Sequence, residues 1–222
     1  MDFFKLIQSL DELIYEVVSW LLFYPLTLWR MISAPLQTMA AAESEISDPD
    51  KGEFTQLVSP PLFLLLTLIL VHALELGTVG QNELVTSSAG LSRFISDDTS
   101  LIIFRTLMYS ALPLFAAMRL VRSRRARLDK QELRGPFYAQ SYAAACFALL
   151  ADAAPLAAYQ FHWFGAGLQL AVFGVSLIWL LSVEARWFAA KLNVSIGRGL
   201  GEAALMVGQW LLGVLILVFL LA

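Results

Sequence analysis

The feature that most restricts this chain is a series of apolar runs, each near twenty residues long, cut by short polar stretches. From residue 62 onward they fall at about 62–79, 100–120, 136–159, 167–183 and 203–221. A helix needs about 20 apolar residues to cross the hydrocarbon of a bilayer. Inside it, every backbone N–H and C=O must be bonded within the protein, which a helix achieves within one segment. The reading is all-α: a polytopic membrane bundle of five transmembrane helices over residues 59–222. Composition agrees, with 59% hydrophobic and only 15% charged residues, where a soluble domain carries about 25% charged.

Charge then orients the bundle. The stretch Arg119 to Arg134 carries Arg119, Arg122, Arg124, Arg125, Arg127, Lys130 and Arg134, seven of the fifteen Lys and Arg residues. It lies between the second and third runs, so it reads as a loop between spans. Short loops rich in Lys and Arg stay in the cytoplasm, and such a cluster also attracts anionic head groups. It reads as a topology signal and lipid contact rather than a nucleic-acid patch. Lys5, Arg30, Lys51, Arg186, Lys191 and Arg198 fall on the same side, leaving Arg93 opposite and Arg105 inside the second run. Five crossings then put the N-terminus in the cytoplasm and the C-terminus outside.

The first 58 residues differ in kind. Phe3, Leu6, Ile7, Leu10, Leu13, Ile14, Val17, Trp20 and Leu21 recur at steps of three and four, with Asp11, Glu12 and Glu16 on the other face. That period predicts an amphipathic helix, and its early acids are unlike the positive start of a signal peptide. The apolar stretch Ser19 to Trp29 is too short to cross alone and contains Pro25. Residues 1–39 are therefore expected as a cytoplasmic interfacial region, with a re-entrant or spanning form as the alternative. Residues 40–58, with Glu43, Glu45, Asp48, Asp50 and Glu53, are expected as an acidic, solvated linker.

Ionisable residues within spans are costly in lipid and mark sites to explain. Here they are His72, Glu75, Arg105 and Asp152. At 1.5 Å per residue, Glu75 and Asp152 each lie about 20 Å from the cytoplasmic start of their spans, and Arg105 descends to a similar height. The expectation is one intramembrane polar cluster with His72 beside it, either an ion pair that lets the helices keep their charges or a proton or solute site. The third span is rich in alanine, which lets backbones approach closely and predicts a central position. Cys146 sits in that run as a small packing residue. Gly197, Gly199 and Gly201 suggest a flexible turn before the last span, in which Ala204 and Gly208 form a small-x-x-x-small pair.

No nucleophile, phosphate-loop or metal-ligand pattern stands out, so neither enzymatic activity nor a cofactor is expected. Arg30-Met31-Ile32-Ser33-Ala34-Pro35 resembles the R-x-x-x-x-P element that precedes the first span in bacterial Yip1-type membrane proteins. Tyr138 to Pro155 is similar to their third span, and the likeness of layout covers residues 25–222. The eukaryotic D-L-Y-G-P motif, associated with Rab binding, is absent from this sequence. The resemblance implies a non-catalytic membrane organiser or partner-binding subunit in a bacterial inner membrane, binding another membrane protein or itself. The alternative is a small transporter or permease component that uses the His/Glu/Arg/Asp cluster.

Overall fold

The computed structural model of the protein describes residues 3–47, 54, 56–80, 85, 95, 97–160 and 165–221. Among these are seven helices and no strand: α1 (Phe3–Ser33), α2 (Pro35–Ser47), α3 (Pro60–Thr78), α4 (Asp98–Ser123), α5 (Lys130–Gln160), α6 (Gly165–Leu192) and α7 (Ile196–Leu221). Four of them, α3, α4, α6 and α7, are long and apolar enough to cross a membrane. Lys51 and Arg93, used in the charge count, lie outside the described residues, as does the stretch at His162.

Helix α5 forms the axis, with α2, α3, α4 and α6 packed against it. All ten residues from 139 to 148 are buried. A helix enclosed on every side needs small side chains, which is what the alanine run supplies, and Cys146 is buried among them. Enclosure also explains why α5 is less apolar than α3 and α6. Its surface meets protein, where Gln140 donates to Glu184 of α6, so it need not be hydrophobic throughout.

The helix ends have local causes. Asp97 caps α4: its carboxylate accepts the Ser100 N–H at 2.7 Å while the Ser100 hydroxyl lies 3.2 Å from the Asp97 N–H, a capping box. These bonds with Ser100 hold the Asp97 carboxyl below its usual range. Asp129 caps α5 by accepting the N–H groups of Gln131 and Glu132. At the end of α4, Arg125 takes a left-handed φ of 56° and the Ala126 N–H returns to the Val121 carbonyl, which stops the helix.

Those caps shorten the basic loop. Arg119 and Arg122 belong to α4, and Lys130 and Arg134 to α5, which runs through Gly135–Pro136 unbroken; only residues 124–129 link the helices. Likewise, the stretch expected to begin a solvated linker is helical as far as Ser47. Met39 and Ala42 on α2 are buried, because α2 lies on α5 and its acids can point away. The chain then returns at Val58, whose N–H donates to the Thr27 hydroxyl and whose carbonyl accepts from the Tyr142 hydroxyl.

The three glycines expected as a turn lie instead in the opening turns of α7. A Cβ on Gly199 would stand 2.2 Å from the Ala185 carbonyl oxygen, so glycine is required for α6 and α7 to approach. The Ala204 and Gly208 pair does not serve that contact: both are exposed, and nothing lies within 4 Å of a Cβ on Gly208. The packed face of α7 runs instead through Ala203, Met206, Val207 and Trp210.

Candidate functional site

Two buried polar clusters occupy opposite ends of the bundle. The first lies toward the end of α3, the start of α4 and the later part of α5. Arg105 Nη1 on α4 is 2.7 Å from Glu75 Oε2 on α3, with both side chains largely enclosed. One turn along α4, the Tyr109 hydroxyl donates to Asp152 Oδ1 at 3.0 Å. One turn back along α3, His72 is 4% exposed, and its Nε2 faces Asp98 Oδ1 at 3.7 Å.

All four residues singled out from the sequence are thus in this region, but as a chain of pairs rather than a single knot. Arg105 joins Glu75; Asp152 is joined to Tyr109 instead of the guanidinium; His72 looks toward Asp98. Depth matching found the ion pair because its partners are both long and both in spans. Tyr109 and Asp98 were not anticipated. Tyr109 reads as an aromatic core residue, stacked near Phe147 and Trp210, and Asp98 reads as part of the helix start.

The pairing suits a low-dielectric site. A charged side chain at the centre of a helix in lipid costs roughly 2.5–3.5 kcal/mol on insertion scales, and opposite charges in contact remove much of that cost. Beyond the facing pairs, His72 Nδ1 and Asp152 Oδ2 have no hydrogen-bond partner among the described residues. They are the groups here with unused capacity to take or hold a proton or a polar solute.

The second cluster lies at the other end, where α2, α5 and α6 meet. Glu184 is fully buried, and its Oε2 accepts from Gln140 Nε2 at 2.8 Å. Its Oε1 and the Trp187 indole nitrogen have no hydrogen-bond partner among the described residues. One turn further, Lys191 lies 4.6 Å from the centre of the Trp187 ring and 2.6 Å from Glu43 Oε2 on α2. This cluster was missed because a span was expected to stop at its first acid, near Val183. The available signal was the period: Leu180, Glu184, Trp187, Phe188 and Lys191 recur at three and four, continuing one face of α6.

The seven basic residues do not form a single unit. Arg119 pairs with Glu202 on α7, and Arg134 stacks over the Tyr138 ring at 5.7 Å. Arg122, Arg124, Arg125, Arg127 and Lys130 are exposed. Among the described residues no group of three or more His, Cys, Asp or Glu side chains is arranged to hold a metal ion. Comparison with protein-family models, with curated proteins and with solved structures finds no match.

Proposed function

We propose that this is a non-catalytic integral membrane protein that binds or organises another membrane component. In this reading α5 is the fifth span, enclosed by α2, α3, α4 and α6. Both of its ends adjoin short connections to apolar helices, so it runs the same depth as they do. The basic end faces the cytoplasm, the C-terminus lies outside, and the layout is that of a Yip1-type protein in a bacterial inner membrane.

The observation that carries the functional part is the surface of α1. Tyr15, Leu21, Leu22 and Trp29 are each two-thirds exposed or more. Val17, Leu21 and Tyr24 share a groove with Leu66 and Leu70 of α3, while Glu16, Ser19 and Phe23 face Leu57, Ser59 and Leu62. One flank of α1 thus borders α3 and the other the approach to it, which supports an α1 that lies across the start of that helix, in the interface plane. Its acids disfavour an anionic surface, so exposed apolar area of this kind suits a protein partner.

A photo-activated cross-linker at Leu21 should capture protein in native membranes, whereas one at Ile178, on the exposed face of α6, should capture lipid alone. Lipid alone at both positions would reduce α1 to an anchor. Reporter fusions at Leu128 and at the C-terminus should fall on opposite sides.

The unpartnered Asp152 Oδ2 and His72 Nδ1 favour a second reading, a small transporter or permease component. In purified proteoliposomes that reading requires proton or solute flux that is lost on Asp152→Asn.

A further inference from the structure

Between α4 and α7, a cavity of about 520 Å³ opens on the flank of the bundle. Its wall is apolar along Phe115, Met118, Leu212 and Ile216, and its basic rim is Arg119, Arg122 and Ser123. Leu212 and Ile216 are more than half exposed, so this wall is one that hydrocarbon chains would meet. Ser123 also borders a second cavity of about 270 Å³, where Arg124 meets Lys191 from the end of α6 and Arg198 from the start of α7. The two cavities share Ser123 as a common border, and together they are treated as one depression, apolar along the flank and cationic at the end.

Its charge is not cancelled internally. Glu202 is the one carboxylate on either lining, and it is engaged by Arg119 and by the Ser123 hydroxyl. Lys191 is shared with Glu43. Arg122, Arg124 and Arg198 remain without a carboxylate partner among the described residues. Guanidinium groups match phosphate oxygens bidentately, and three of them converge at the mouth of a chain-sized apolar groove.

We propose that this depression is a binding site for an anionic phospholipid, its phosphate between Arg124 and Arg198 with Arg122 alongside, and an acyl chain along Phe115, Leu212 and Ile216. The inference rests on the proposed position of the basic end at a leaflet surface, which the reporter fusions examine separately. A free phosphate would use the guanidinium groups but not the groove. A lipid uses both, and the shared border at Ser123 favours the lipid. The negative lipids of the cytoplasmic leaflet supply it at the right depth.

The test uses the full chain in neutral detergent, titrated with phosphatidylglycerol or phosphatidylcholine and followed by native mass spectrometry. Phosphatidylglycerol should bind at least about tenfold more tightly than phosphatidylcholine, since each nearby cation adds to the attraction. The double variant R124Q/R198Q should weaken phosphatidylglycerol binding about thirtyfold, two cations having been lost. R127Q/K130Q removes the same charge outside the depression and should leave binding within about threefold of the unaltered protein. Equal losses in both double variants, no preference over phosphatidylcholine, or full displacement by inorganic pyrophosphate at equal concentration would each overturn the proposal.

Discussion

Glu75 and Glu184 are both buried carboxylates on membrane-length helices, yet they are accommodated in different ways. Glu75 faces a guanidinium at 2.7 Å; Glu184 faces the neutral amide of Gln140 at 2.8 Å. The first contact depends on opposite charges in a medium of low dielectric, where removing one partner strands the other. The second is an ordinary hydrogen bond between groups of similar shape and does not require charge. The first cluster is therefore sensitive to electrostatics and the second to packing and hydrogen-bond geometry.

Arg105→Ala should have the largest effect. It leaves Glu75 without its guanidinium and takes a cation from the vicinity of Asp152, costing about 3–5 kcal/mol as for a broken buried pair, read by reversible unfolding in mixed micelles. A loss below about 1 kcal/mol would mean that water reaches the pair and the contrast with Glu184 disappears. Glu75→Gln comes next. The amide oxygen still accepts from Arg105, but a charge-assisted bond becomes a neutral one, so about 1–2 kcal/mol should be lost in the same measurement.

Glu184→Gln should be the mildest, at about 1 kcal/mol or less, because an amide of the same size can keep a bond with Gln140. The spread among the three variants sharpens the comparison, and a Glu184→Gln loss as large as that of Arg105→Ala would break it. An effect of Glu184→Gln on the binding of a partner at α2 or α6, with stability retained, would instead give the second cluster a role of its own.

The Arg105–Glu75 ion pair was legible because its cues are one-dimensional. A charge inside an apolar run is visible in any reading, and rise per residue converts position into depth. Asp152 shows the limit of that method. Depth places it beside Arg105, but the direction in which a side chain leaves its helix depends on the rotation of α5, fixed by packing on several neighbours at once. Tyr109 meets Asp152 on that account, and no spacing in the sequence records it.

Glu184 escaped notice for a related reason. A charge at the edge of an apolar run normally marks the return to water, and Glu184 is followed by Arg186 and Lys191. The structure keeps it dry because α2, read as solvated, covers that end and brings Glu43 to Lys191. Gly199 is similar: three spaced glycines suggest freedom, while the approach of the Ala185 carbonyl requires a residue without a side chain.

By itself the sequence determined the helical class, the four apolar helices of membrane length among the five runs it marked, the central place of the alanine-rich helix and the presence of paired charges within the spans. Those follow from local quantities: backbone hydrogen bonds that must close within a segment, apolar length against bilayer thickness, and the cost of isolated charge. Tertiary structure alone decided that α2 is a packed helix, that Glu184 is buried, and that Arg124 and Arg198 share a depression. Each of these depends on which surfaces of distant segments face each other, and that is set by the joint packing of all the helices around α5.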